Sequence, residues 1–169
     1  QASLSLMDIQ IKEIISKSSI HHSWLIEGPF DSSYSLSILN KNFALALSQL
    51  GINVSVNSSD GPGDFSPSIS FLNANPEMKN LYERRLSFTD PNIVSRNMYP
   101  PRVKDMEGDI KLLHSYGWEE SEFPDEWVFE FNKYLDGLTV MSKPVKKIMI
   151  DNGVSVPIKV TSLGLDHLD

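Results

Sequence analysis

The segment from Ser23 to Val56 constrains the fold more than any other part of the chain. Ser23-Trp24-Leu25-Ile26-Glu27 is a short apolar run that stops at Gly28-Pro29, as a buried strand does. After a Ser-rich turn, Leu36, Leu39, Phe43, Leu47 and Leu50 recur at spacings of 3, 4, 4 and 3. That spacing draws one face of a helix, and Gly51 stands where a C-terminal stop belongs. Burying such side chains is worth about 1.5–3 kcal/mol each before entropy is charged. Ile52-Asn53-Val54-Ser55-Val56 then alternates as a second strand. Strand, helix, strand within about thirty-five residues is the length of a βαβ unit.

The rest of the chain repeats the alternation. Asn57 to Asn75 is rich in Ser, Gly, Pro and Asn and reads as a long loop. Asn75-Pro76-Glu77 opens a helix that runs to about Leu86. Asn92 to Ser95 and Asp109 to His114 are strands. Pro124 opens a helix with Trp127, Phe131, Tyr134 and Leu135 on one face and Gly137 as its stop. Leu138 to Met141 is a strand, Ser142 caps a helix with Val145, Ile148 and Met149 inward, and Pro157 to Leu163 is a last strand. This pattern predicts an α/β fold with a mostly parallel, Rossmann-like sheet flanked by helices. Residues 4–20 carry apolar positions at near-helical spacing and read as a helical extension over residues 1–22, ahead of a domain at 23–169.

In such sheets the ligand sits beyond the carboxyl ends of the strands. That rule selects one rim: Gly28-Pro29-Phe30, Arg96 to Pro101, His114 to Glu120, Ser142 and Gly164-Leu165-Asp166. Charge narrows the partners. Fifteen Lys and Arg against 22 Asp and Glu leave a net charge of −7. A nucleic-acid binder needs a basic face, so nucleic acid is excluded as a partner. An anionic membrane surface is disfavoured on overall charge, with a local basic patch still open. With no cysteine, disulfides, thiolate chemistry and Cys-ligated metals are excluded. No apolar run reaches the ~18 residues of a membrane helix. The start, Gln1-Ala2-Ser3, has no initiator Met and reads as a processed chain or a piece of a longer one.

Several motifs are missing: the G-x-G-x-x-G fingerprint, the P-loop, the G-x-S-x-G elbow, H-E-x-x-H and Asp-x-Asp. His21-His22 would point to opposite faces of a strand and makes a poor metal pair. His114 is the leading candidate, because it follows an apolar strand at the ligand end; a satisfied loop histidine is the structural alternative. Arg96 closes a strand next to Pro100-Pro101 and suits an anionic or hydroxyl-rich ligand, or else a plain ion pair. Glu119-Glu120 suits a base or sugar hydroxyls, or else a solvated acidic loop. Tyr116 and Trp118 interleave with these acids, as aromatics do in a carbohydrate subsite, with core packing as the alternative for Trp118. Gly28 permits a close backbone approach to a ligand, or simply a turn.

The run H-S-Y-G-W-E-E-S-E-F-P-D-E-W-V from His114 to Val128 resembles the amino-terminal domain of bacterial glycosyltransferases of family four, which have the GT-B fold. So do R-N-M-Y-P-P-R from Arg96 to Arg102, G-P-F-D-S-S-Y-S-L from Gly28 to Leu36, and V-S-V-P-I-K-V-T-S-L-G-L-D-H from Val154 to His167. The four pieces occur in the family's order, and the resemblance spans about residues 23–169. The resemblance implies two Rossmann-like domains across a cleft, of which this chain is the amino-terminal, acceptor-binding half. The carboxyl-terminal half, with its two glutamates separated by seven intervening residues, would hold the nucleotide sugar. Glu122 and Glu130 share that gap by coincidence, since they lie before and within an amino-domain helix.

Carried over by position, Gly28 and Pro29 would lie in the loop that approaches the donor phosphates. His114 would be the catalytic-centre residue against the transferred sugar. Arg96, Tyr99, Tyr116, Glu119 and Glu120 would be acceptor-side candidates. The implied activity is retaining sugar transfer from a nucleotide-sugar donor to a glycan or glycolipid acceptor, in cell-surface polysaccharide synthesis. It needs no metal and no cofactor, and the fragment alone would be inactive. The expected location is the cytoplasm, with peripheral association at the inner face of the membrane as an option. The rival from another class is a complete, non-catalytic α/β module that binds a glycan or nucleotide on the same rim. A flavodoxin-like small-molecule enzyme is a third.

Overall fold

The computed structural model describes residues 23–87 and 90–162. The helix expected over residues 4–20, His21-His22 and Gly164-Leu165-Asp166 lie outside them. In chain order the elements are β1 (Ser23–Glu27), α1 (Ser35–Gln49), β2 (Asn53–Asn57), β3 (Ser59–Asp60), β4 (Gly63–Asp64), α2 (Ile69–Ala74) and α3 (Pro76–Arg84). A 3-10 turn at Arg85–Ser87 precedes β5 (Ile93–Arg96), β6 (Ile110–Tyr116), α4 (Asp125–Tyr134), β7 (Gly137–Val140), α5 (Lys143–Asp151) and β8 (Ile158–Val160).

Six strands form one sheet in the order β2-β1-β5-β6-β7-β8, and every neighbouring pair is parallel. The α/β, Rossmann-like architecture expected from the alternation is present. The order reverses at β1: the chain leaves it for β2 on one side and later returns to β5 on the other. The crevice beyond the carboxyl ends of β1 and β5 is therefore the topological switch point of the sheet. Beyond Asn57, which closes β2, the stretch expected to be a loop, Asn57 to Asn75, adds nothing to this sheet. It folds instead into the small antiparallel hairpin β3–β4 and the short helix α2.

Two apolar clusters hold the layers. Ile26, Val54 and Val56 pack with Ala44 and Leu47 of α1 and with Met78 and Leu81 of α3. Val94, Leu113, Leu138 and Val140 pack with Phe131 of α4 and with Val145 and Met149 of α5. Ser142 caps α5 by accepting from Val145 N at 3.3 Å, as its position ahead of Lys143-Pro144 predicts. At the edge, Arg84 Nη1 donates to the carbonyl of Val54 on β2 at 3.2 Å.

Three local expectations need correction. Leu50 is 72% exposed and takes no part in the inner face of α1. The fully buried positions of that helix are Ser37, Asn40, Ala44 and Leu47, so small and polar residues lie innermost and the larger Leu36, Leu39 and Phe43 flank them. Gly137 begins β7 rather than ending α4, because Leu135 already has extended backbone. α3 ends at Arg84, and the last expected helical residues tighten into the 3-10 turn.

Candidate functional site

The carboxyl end of β1 turns at Gly28, whose φ of +152° favours glycine. A Cβ here would run into Asn40 Nδ2 and lie 2.6 Å from the carbonyl oxygen of Asn97. The close approach that Gly28 permits is thus made within the protein, between the loop leaving β1, helix α1 and the loop leaving β5. Pro29 shares it: its carbonyl accepts from Asn40 Nδ2 at 2.8 Å.

Asn40 is the centre of this arrangement. It is buried in α1, and Nδ2 donates both to Pro29 O and to Asn97 O, the latter at 2.9 Å. Its Oδ1 lies 2.9 Å from Nε2 of His114. His114 sits in β6, 2% exposed, with its ring stacked on Phe43 at 4.6 Å between centroids and 19° between planes. Burial pushes its pKa down to about 3, so the imidazole is neutral at physiological pH. Nδ1 of the same ring is buried and has no hydrogen-bond partner in the described structure. The next residue, Ser115, has a φ of +49°, at a bulge where β6 loses register with β7 between Leu113 and Tyr116. Ser115 N donates to Thr139 Oγ1 at 2.7 Å, which ties the bulge to β7.

Arg96 ends β5, as its sequence position suggests, but its guanidinium is turned inward. Nε donates to Glu27 Oε2 at 2.5 Å, and Nη1 donates to Arg102 O and to Asp105 Oδ1, each at 2.6 Å. Arg102 extends the network, donating to Ser59 Oγ at 2.9 Å and pairing with Asp64 at 3.2 Å. Burial pushes the Asp105 carboxyl up, but the hydrogen bond and charge of Arg96 outweigh it and hold the pKa below the ordinary value. Asp64 is likewise raised by burial and lowered further by Ser59, Asn57 and Arg102, to a net value below the ordinary one. These links fasten the loop after β5 onto the β3–β4 hairpin. Asp31 fastens that hairpin's exit to the loop after β1 by accepting from Ser68 N at 2.7 Å.

The aromatic candidates divide. Tyr116 is buried edge-on to Phe131 and Phe123, and burial raises the pKa of its hydroxyl. Trp118 packs against Phe123 and Trp127 and donates from Nε1 to Glu122 O at 2.8 Å. Tyr99 is 62% exposed and stands edge-on to Trp127 at 6.0 Å, so it is the rim's outward aromatic. Glu119 and Glu120 lie exposed on the turn after β6. The structure therefore brings Gly28, Pro29 and His114 together through Asn40, places Arg96 in an internal ion-pair network, and leaves Tyr99, Glu119 and Glu120 on the outer rim.

Asn40 and Glu27 are absent from the candidates read from sequence, and Asn97 enters only as part of the rim segment Arg96 to Pro101. For Asn40 a signal exists: it stands four residues after Leu36 and three before Phe43, a polar residue inside an apolar stripe. Among the described residues no group of three or more His, Asp or Glu is placed to hold a metal, and no helix is long and apolar enough to cross a membrane. Chemically, the arrangement offers a neutral imidazole, backbone carbonyls held by an amide, and an outward aromatic. No family model, curated protein or solved structure matches the chain.

Proposed function

We propose that this chain is the acceptor-side domain of a retaining, metal-independent glycosyltransferase. Its parent would move a sugar from a nucleotide-sugar donor to a glycan or glycolipid acceptor, with a second domain holding most of the donor. The observation that carries this reading is a set of unpaired buried polar atoms near the carboxyl ends of three strands. Ser58 Oγ and Asn97 Nδ2, directly after β2 and β5, and His114 Nδ1, inside β6 two residues before its end, are buried without a protein partner. Buried polar groups are normally paired, and unpaired ones cluster where a ligand or catalytic role explains them. A sugar, with a hydroxyl on nearly every carbon, can pair with such atoms. The exposed Tyr99, Glu119 and Glu120 support an acceptor rim, since a sugar's apolar face stacks on aromatics while its hydroxyls bind carboxylates.

In this reading His114 lines the reaction centre as a neutral group. The charge of the departing nucleotide is stabilised electrostatically from the second domain. The test is a transfer assay of the full gene product against a panel of nucleoside-diphosphate sugars with a lipid-linked acceptor, with and without EDTA. Transfer should survive EDTA and collapse in a folded His114→Ala variant. Undiminished turnover in that variant, or efficient transfer by the 169 residues alone, counts against the proposal. Tight binding of a sugar nucleotide by the 169-residue chain, seen as a thermal shift, points instead to a non-catalytic binding module.

A further inference from the structure

An asparagine amide has two chemically different ends, and the surroundings of Asn40 decide which end faces where. The end that lies 2.8 Å from Pro29 O and 2.9 Å from Asn97 O faces two carbonyl oxygens. Carbonyl oxygens only accept, so that end is the NH2 group. The opposite end, facing His114 Nε2 at 2.9 Å, is then the oxygen Oδ1, which also only accepts. A hydrogen bond across that distance requires the proton to be on Nε2. In a neutral ring, Nδ1 then carries a bare lone pair.

We infer that Asn40 is a positioning residue: it fixes His114 as the Nε2–H tautomer, so that Nδ1 is a hydrogen-bond acceptor, and it clamps the loops leaving β1 and β5. Two further features agree. Phe43, one turn along α1, stacks on the ring and holds its plane. Burial alone accounts for the lowered basicity of the ring, with no charged side chain contributing. Gly28 belongs to the same device, since a side chain there would displace the amide. The consequence is chemical. A ligand group that reaches His114 meets a neutral acceptor that suits a hydroxyl or amide donor. It does not meet a cation for a phosphate or a general acid. The inference rests on the chain's own hydrogen bonds and stands or falls apart from the transferase proposal.

The test is nitrogen-15 NMR of the imidazole rings in the labelled 169-residue chain. His114 should show a protonated Nε2 and a bare Nδ1, unchanged as the pH is lowered from about 8 to about 5. A protonated Nδ1, or titration near the ordinary histidine value, overturns the inference. Asn40→Asp keeps the shape but puts a carboxylate against Nε2. In the folded variant His114 should take up a second proton at higher pH than in the parent, and the amides of Gly28 and Asn97 should shift. A folded Asn40→Asp protein with an unchanged His114 spectrum also overturns it. If that variant does not fold, the spectrum of the unmodified chain decides alone.

Discussion

Arg96 and Glu27 are register partners on the adjacent strands β5 and β1, and Nε of the arginine lies 2.5 Å from Oε2 of the glutamate. Both side chains are withdrawn from solvent, at 3% and 11% exposure. A buried pair of this kind is weak evidence of net stabilisation, but removing one partner strands the other charge. Arg96→Met should cost about 3–5 kcal/mol, because Glu27 loses its cation and Asp105 and Arg102 O lose a donor. Arg96→Lys should not restore it, since a single ammonium cannot reproduce the guanidinium fork that reaches these acceptors. Urea midpoints of the two variants check this; a loss under about 1 kcal/mol in Arg96→Met would show the network to be marginal.

Gly28→Ala should destabilise the switch point from two sides. The φ of +152° is strained for alanine, and the new Cβ would collide with Asn40 and Asn97. A residue forced into such a backbone region costs about 1–3 kcal/mol. Displacing the amide adds the loss of one buried hydrogen bond, about 1 kcal/mol. Chemical denaturation gives the total, and the imidazole spectrum of His114 should change in the same variant.

The pH dependence of stability separates His114 from the carboxylates. Its folded pKa is about 3, against about 6.5 unfolded. Below pH 6.5 the unfolded chain takes up a proton that the folded chain refuses, so this histidine makes stability fall as pH drops, by about 1.4 kcal/mol per unit, down to about pH 3. Asp64 and Asp105 are depressed in the fold. The stability they contribute is present above the unfolded value of about 4 and is lost only as pH falls below it. The window from about pH 6.5 to about pH 4 therefore reports on His114. Urea titrations across it should show a shallower slope in His114→Gln. Equal slopes would mean that the ring is not held neutral.

Tyr99 tests the rim. At 62% exposure, with one edge-on contact to Trp127, its truncation should cost about 1 kcal/mol or less. If the rim receives the acceptor, Tyr99→Ala in the full gene product should raise KM for the acceptor while leaving KM for the nucleotide sugar unchanged. An unchanged acceptor KM removes Tyr99 from the rim.

Phe131 tests the second apolar cluster. It is fully buried and touches Tyr116 and Phe123 edge-on or tilted. Phe131→Ala should cost about 3–5 kcal/mol, read as a lowered Tm. The Asn40–His114 pair lies in a different layer, so the His114 spectrum should be unchanged.

The elements were legible because each is specified within a short window. The 3.6-residue recurrence along α1, the apolar run into Gly28 and the Ser142 cap are local patterns, and alternation of such patterns requires a parallel sheet. The hairpin β3–β4 was not legible, since Asn57 to Asn75 is polar and its strands are two residues each. The candidate site was half legible. The rule that ligands bind beyond strand ends located His114 and Arg96, but it carries no information on which way a side chain turns.

By itself, then, the sequence determined the alternation of strands and helices, the net negative charge and the absence of cysteine chemistry. Only the tertiary structure decided that Arg96 is consumed by Glu27 and Asp105, that Asn40 joins the loops leaving β1 and β5, and that the buried His114 ring meets Asn40 at Nε2 and no partner at Nδ1. The physical reason is range. Asn40 meets Asn97 and His114 at separations of 57 and 74 residues, and Arg96 meets Glu27 at 69. Apolar periodicity is set by neighbours one turn away, whereas a hydrogen-bond partner is known only once the sheet has brought distant strand ends together.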